Sequence, residues 1–138
     1  MEFELSRVTP AERFSRAGHR PATIWLTGDA EIAYAAERKL FDRGCLVNVL
    51  ADEQNPELLA ELARISNAAG LITICSVAAA DAPSLEKAHE VVGTDRFVAV
   101  EAASLPSDSS DAAEAICRLL EERGFIPECG DLTGGAGI

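Results

Sequence analysis

The chain has little of what most functional classes require. It has no C-x-x-C pair: Cys45, Cys75, Cys117 and Cys129 stand far apart, accompanied by only two histidines, His19 and His89. That spacing argues against a zinc site or a thioredoxin-like motif, so no metal is expected. The cysteines read as structural: Cys75 lies in an apolar run, and Cys117 follows Ile116 on a helical segment, as small buried hydrophobes do. Long apolar runs are also missing. The longest, such as residues 71–77, fall far short of the ~20 residues a membrane-spanning helix needs, so no membrane partner is expected. The amino terminus carries Glu2, Glu4 and Arg7 with no apolar core, unlike a secretory signal, and the cytoplasm is the expected compartment. Positive charge is scarce, with 12 Lys and Arg against 23 Asp and Glu and a net charge of −11. Such a surface repels nucleic acid and anionic nucleotides unless a local basic cluster overrides it. No such cluster shows in the sequence, where the densest basic stretch is Arg13, Arg16, His19 and Arg20. No nucleic-acid partner is expected, and the acidity reads as solubility.

What is present is the pattern of one compact domain. The length of 138 residues allows a real core, and 48% hydrophobic with 25% charged residues is an ordinary globular balance. Short β-rich runs alternate with helical stretches that each end in glycine. Residues 22–27 form an apolar run bounded by Pro21 and Gly28; residues 31–43 follow as a helix with Ile32, Ala36 and Leu40 on one face, closed by Gly44. Residues 45–50 are the second strand. Asn55 as cap and Pro56 at the first position open a second helix, with Leu58, Leu62, Ile65 and Ala69 as its core stripe. Residues 71–77 form a strand covered on both faces. Ser84 is the expected cap of a third helix carrying Leu85, Ala88 and Val92, and residues 97–100 are a fourth strand. Asp111 with Glu114 resembles a capping box before the last helix, whose stripe is Ala112, Ile116, Leu119 and Leu120. Strands separated by helices of this length imply right-handed crossovers: a three-layer, doubly wound α/β fold with a mainly parallel sheet of about four strands. The apolar stripes are expected to be core. The expected boundaries are a polar arm over 1–20 with one helical turn after Pro10, the α/β domain over 21–127 and a tail over 128–138, with no internal repeat.

Several stretches resemble the adenylylsulfate (APS) kinase family of P-loop kinases. GHRPATIWLTG (18–28) looks like that family's entry into its first strand, and IAYAAERKLFDRGCLVNVL (32–50) like its first helix and second strand. LLAELARISNAAGLITICS (58–76), AHEVVGTDRFVAV (88–100) and AEAICRLLEERGFI (113–126) are similar to the later helices and strands. The resemblance covers most of 18–126 and implies a P-loop-kinase-like fold.

At the strand ends, where the resemblance would place the chemistry, the sequence departs. The family sets G-x-x-x-x-G-K-[ST] after the first strand, where backbone N–H groups wrap phosphate, lysine neutralises it and the hydroxyl holds Mg²⁺. Here Thr27 and Gly28 remain, and only Asp29, Ala30 and Glu31 precede the helix at Ile32. The implied loop is shorter by about five residues, without the lysine or the Ser/Thr. Asp29 is placed to cap the helix, with Glu31 in its first turn, so carboxylates occupy the position a phosphate would use. After the second strand the family's Asp-Gly-Asp and following arginine segment correspond to Ala51, Asp52 and Glu53, which leaves one acid and no arginine. Its Asn-Ile-Arg-Arg becomes Asn55-Pro56-Glu57-Leu58, and the aromatic and arginine that follow Ser76 are replaced by residues 77–82, VAAADA. The Arg- and Lys-rich lid shrinks to residues 104–110, with no basic residue.

Four functional stretches are lost on a readable scaffold, so the expected function is that of a catalytically inactive APS-kinase-like domain with no catalytic residue and no cofactor. Residues 27–31 are then a vestigial phosphate-loop position. The resemblance implies partners as well: an ATP sulfurylase, fused or separate, since residues 6–21 are similar to the stretch that joins the two in fused forms, and a homodimer. The alternative is residual APS-kinase-related or small-ligand-binding activity in a pocket at the carboxyl ends of the strands, built from Asp52, Glu53 and Ser76 near Gly28, for a small ligand that is not strongly anionic.

Overall fold

The computed structural model describes residues 7–51, 55–78 and 81–128. In chain order these form α1 (Pro10–Ala17), β1 (Ala22–Thr27), α2 (Ala30–Asp42), β2 (Val47–Ala51), α3 (Pro56–Ala68), β3 (Ile72–Val77), α4 (Ala82–Val92), β4 (Phe97–Glu101), a 3₁₀ turn (Ala102–Ser104) and α5 (Ser109–Glu122). All strand pairs are parallel and the order is β2-β3-β1-β4. The central strands β1 and β3 are covered on both faces, which is why their sequences run apolar without alternation.

Two cores flank the sheet. On one face Ile24, Leu26, Ile72, Ile74 and Val98 pack under Ile32, Ala36 and Leu40 of α2 and Ile116 and Leu120 of α5. On the other, Trp25, Cys75, Val77 and Phe97 pack under Leu59, Ala60 and Ala63 of α3 and Ala88 and Val92 of α4. The three-layer, doubly wound fold is the one the alternation predicts.

The α3 stripe is a correction. Leu58, Leu62 and Ile65 are exposed, and the buried face is Leu59, Ala60, Ala63 and Asn67. The true stripe is disguised by its polar member. Asn67 is 2% exposed; its Nδ2 donates to the carbonyls of Ala22 and Leu71 (2.9 and 3.0 Å), and its Oδ1 accepts the Thr23 hydroxyl at 2.7 Å. A fully bonded amide is tolerated where a bare one is not, and this one ties α3 to the starts of β1 and β3.

Two caps also differ from expectation. Asp81, not Ser84, caps α4 by accepting the Ser84 N–H at 2.8 Å, which leaves Pro83 in the first turn, where its missing N–H is harmless. Asp108, not Asp111, caps α5 by accepting the Asp111 N–H at 3.0 Å. In both, an aspartate three residues upstream outcompetes the later candidate because its carboxylate reaches the third amide of the helix.

Within the expected arm, α1 is two turns long rather than one, opened by a Thr9–Glu12 capping box. Arg13 Nη1 donates to the Ala69 carbonyl at 3.0 Å. His19 is 2% exposed; its Nε2 accepts the Leu46 N–H at 3.0 Å, and its Nδ1 lies 3.1 Å from the Arg20 carbonyl oxygen. One neutral tautomer satisfies both contacts.

Candidate functional site

In an open α/β sheet a ligand crevice forms where the helices leaving two adjacent strands go to opposite faces. Here that place is β1 beside β3, since α2 returns on one face and α4 on the other. The turn at the end of β1 therefore borders that crevice.

Thr27 ends β1, level with Val77 on β3 and Glu101 on β4. Gly28 follows with φ +123°, a conformation that suits glycine, and its N–H donates to the Val77 carbonyl at 3.0 Å. A Cβ placed on Gly28 would lie 2.9 Å from the Ala102 Cβ, so the turn is pressed against the 3₁₀ turn after β4. Asp29 is the α2 cap. Its Oδ1 accepts the Glu31 N–H at 2.9 Å and its carbonyl accepts the Ile32 N–H at 3.2 Å. Ala30 opens the helix and Glu31 adds a second carboxylate to its first turn. The amides of Gly28, Glu31 and Ile32 are thus already engaged within the protein, and the positive end of the helix faces two acids.

A hollow of about 420 Å³ lies nearby, lined by Thr27, Leu85, Ala99, Val100, Glu101, Ser104, Leu105 and Leu119. Its one charged residue is an acid. Of the expected pocket residues, Ser76 is the one described, and it does not line this hollow. Ser76 sits within β3 at 6% exposure, beside Leu26 and Ala51, while Asp52 and Glu53 lie outside the described residues.

Basic residues do gather, contrary to the sequence reading, but at the opposite end of the sheet. Arg20, Arg96 and Arg123 line a hollow of about 330 Å³ with Phe14, Phe125 and Asp95. They are far apart in the chain and meet because β1 and β4 start side by side and α5 ends there. A window along the sequence cannot see that grouping.

The thiols offer no reactive centre among the described residues. Burial pushes Cys75 up to about 12 and Cys117 up to about 11 from the ordinary 9.0, and it raises Cys45 as well. Cys129 lies outside the described residues. Among the described residues no cluster of His, Cys, Asp and Glu could hold a metal ion, and no helix is long and apolar enough to cross a membrane.

The architecture defines a class, the three-layer parallel α/β domain with strand order 2-3-1-4. Within it, the fold is shared with a hexameric APS kinase from Thiobacillus denitrificans: TM-score 0.57 at 17% identity, over 84% of this chain and 32% of that one. In sequence the chain is similar to a bifunctional enzyme CysN/CysC of Rhodopirellula baltica, 33% identical over 97% of this chain and 23% of that protein. It is also similar to an adenylyl-sulfate kinase of Geotalea uraniireducens, 40% identical over 31% of this chain and 23% of that protein. The matched region spans about a quarter of each curated relative's length. No protein-family model matches the chain.

Proposed function

We propose that this chain is a catalytically inactive, cytoplasmic member of the APS kinase family that acts through protein contacts in sulfate assimilation. The observation that carries this reading is the α2 amino terminus: Asp29, two residues beyond β1, takes the amides that a phosphate loop would offer. Phosphoryl transfer depends on positioning and on cations that neutralise developing charge. Residues 27–31 supply no cation, and neither does the hollow beside Thr27. The similarity to a CysN/CysC enzyme and to an adenylyl-sulfate kinase supports the link to sulfate assimilation. An ATP sulfurylase, fused or separate, is the proposed partner. Co-purification with ATP sulfurylase from the source cell, together with a coupled assay showing no APS-dependent ATP consumption, is the test; turnover of ATP would refute the reading.

A second reading rests on the 420 Å³ hollow, whose apolar walls and single acid suit a small neutral or cationic ligand at the carboxyl ends of the strands. A thermal-shift screen of such compounds separates it from the first.

A further inference from the structure

Three arginines without a carboxylate partner meet in a chain that carries −11. Arg20 lies ahead of β1, Arg96 directly ahead of β4 and Arg123 directly after α5, and all three line the 330 Å³ hollow at the amino ends of the strands. Main-chain bonds fix their places. The Arg20 N–H donates to the Phe125 carbonyl at 2.8 Å, and the Arg96 carbonyl accepts the Thr23 N–H at 2.7 Å. Arg20 and Arg123 are exposed, and Arg96 is half-buried. The one acid in the lining, Asp95, makes no ion pair with them, and among the described residues no other carboxylate does. Elsewhere the chain pairs its arginines, Arg38 with Asp42, Arg43 with Glu121 and Arg64 with Glu61. The hollow also has an aromatic wall. Phe14 is 45% exposed and carries the Arg20 guanidinium 5.4 Å from its ring centre, while the buried Phe125 lines the same space.

We infer that this hollow is a docking site for an acidic segment of a partner protein, one in which carboxylates flank an aromatic side chain. Guanidinium forks match planar carboxylates two atoms to two, and clusters of arginine are a recurring device for reading acidic motifs. Compact phosphate sites add main-chain N–H groups or the amino end of a helix. Neither is on offer here. At the start of α1, Pro10 has no N–H, and the Glu12 and Arg13 amides are already bonded to Thr9. Helix α5 reaches the hollow with its carbonyl end. Phe14 and Phe125 give an aromatic side chain a surface to cover, and arginine beside buried aromatic anchors is where interface energy concentrates. The arginines also supply the local positive charge that the acidic chain lacks elsewhere, so an acidic partner is steered to this end of the sheet. The inference deepens the reading of the chain as a contact module by naming the chemistry of its partner. Its test does not involve nucleotide, so the two can fail separately.

The probe is a short end-blocked peptide in which aspartate and glutamate flank one phenylalanine, titrated into the isotope-labelled full chain with amide shifts followed by NMR. Saturable shifts are expected at the amides of Arg20, Arg96 and Arg123, with none at Gly28, Glu31 and Ile32. Arg20→Gln and Arg123→Gln, both at exposed positions, should each weaken binding about tenfold while leaving the thermal melt nearly unchanged. Asp95→Asn should tighten binding severalfold by removing the acid in the lining, which a purely structural role for these side chains would not do. Alanine in place of the peptide's phenylalanine should weaken it. No saturable shift, shifts confined to the far end of the sheet, or binding unmoved by both arginine substitutions would overturn the proposal. Citrate or inorganic phosphate binding as tightly as the peptide would overturn it equally, because the hollow would then be a site for a small anion.

Discussion

The Asp29 carboxylate accepts the Glu31 backbone N–H at 2.9 Å, closing the amino terminus of α2 directly after β1. The bond is ordinary helix capping, and its position gives it consequence, because the same amides are what an anion would bind in a longer loop. Replacing the cap tests its energetic role. Asp29→Ala is expected to lower stability by about 1 kcal/mol and Asp29→Asn by far less, read from urea unfolding midpoints. Neither variant should gain nucleotide binding, since no lysine or second glycine is restored.

The contact between Gly28 and Ala102 predicts a coupled pair. Gly28→Ala combines a positive φ with a 2.9 Å approach to the Ala102 Cβ and should lose about 1–3 kcal/mol. Ala102→Gly relieves the steric part only, so the double variant should be more stable than the sum of the two single losses implies. A purely additive cycle would show that the turn is looser than described.

The two faces of α3 can be weighed against each other. Leu59→Ala should cost roughly 2–5 kcal/mol, whereas Leu62→Ala should stay within about 0.5 kcal/mol in the monomer. Asn67→Leu should cost at least about 2 kcal/mol, because the Thr23 hydroxyl and the Ala22 and Leu71 carbonyls lose their partner. Chemical denaturation of the three variants checks the order.

The buried thiols set an alkaline limit. Folding holds Cys75 at about 12 and Cys117 at about 11, above the ordinary 9.0, so the folded state binds protons that the unfolded chain releases. Their contribution is fully present below about pH 9 and is lost as pH rises from there towards 11 and 12. Stability should therefore fall between pH 9 and 11. At pH 8 these two thiols should react with a disulfide reagent only after denaturant is added.

The architecture was readable because parallel strands buried on both faces leave continuous apolar runs, and each helix is followed by a glycine of positive φ, as at Gly44 and Gly70. The Asp29 cap was readable too, since capping is local. What escaped depended on distance in the chain. Asn67 belongs to the core only because two strand ends lie beside it, so a periodic count favoured Leu58, Leu62 and Ile65 instead. Arg20, Arg96 and Arg123 share a hollow only once the sheet is assembled. The Ala102 contact that confines Gly28 likewise requires β4 to lie next to β1.

Calorimetric titration of the chain with ATP and Mg²⁺, and separately with APS, addresses the central claim most directly. With the α2 amides capped by Asp29, neither titration should give saturable heat, which places any affinity weaker than about 1 mM. A saturable isotherm with ATP and Mg²⁺ in the micromolar range, abolished by EDTA, would contradict the account.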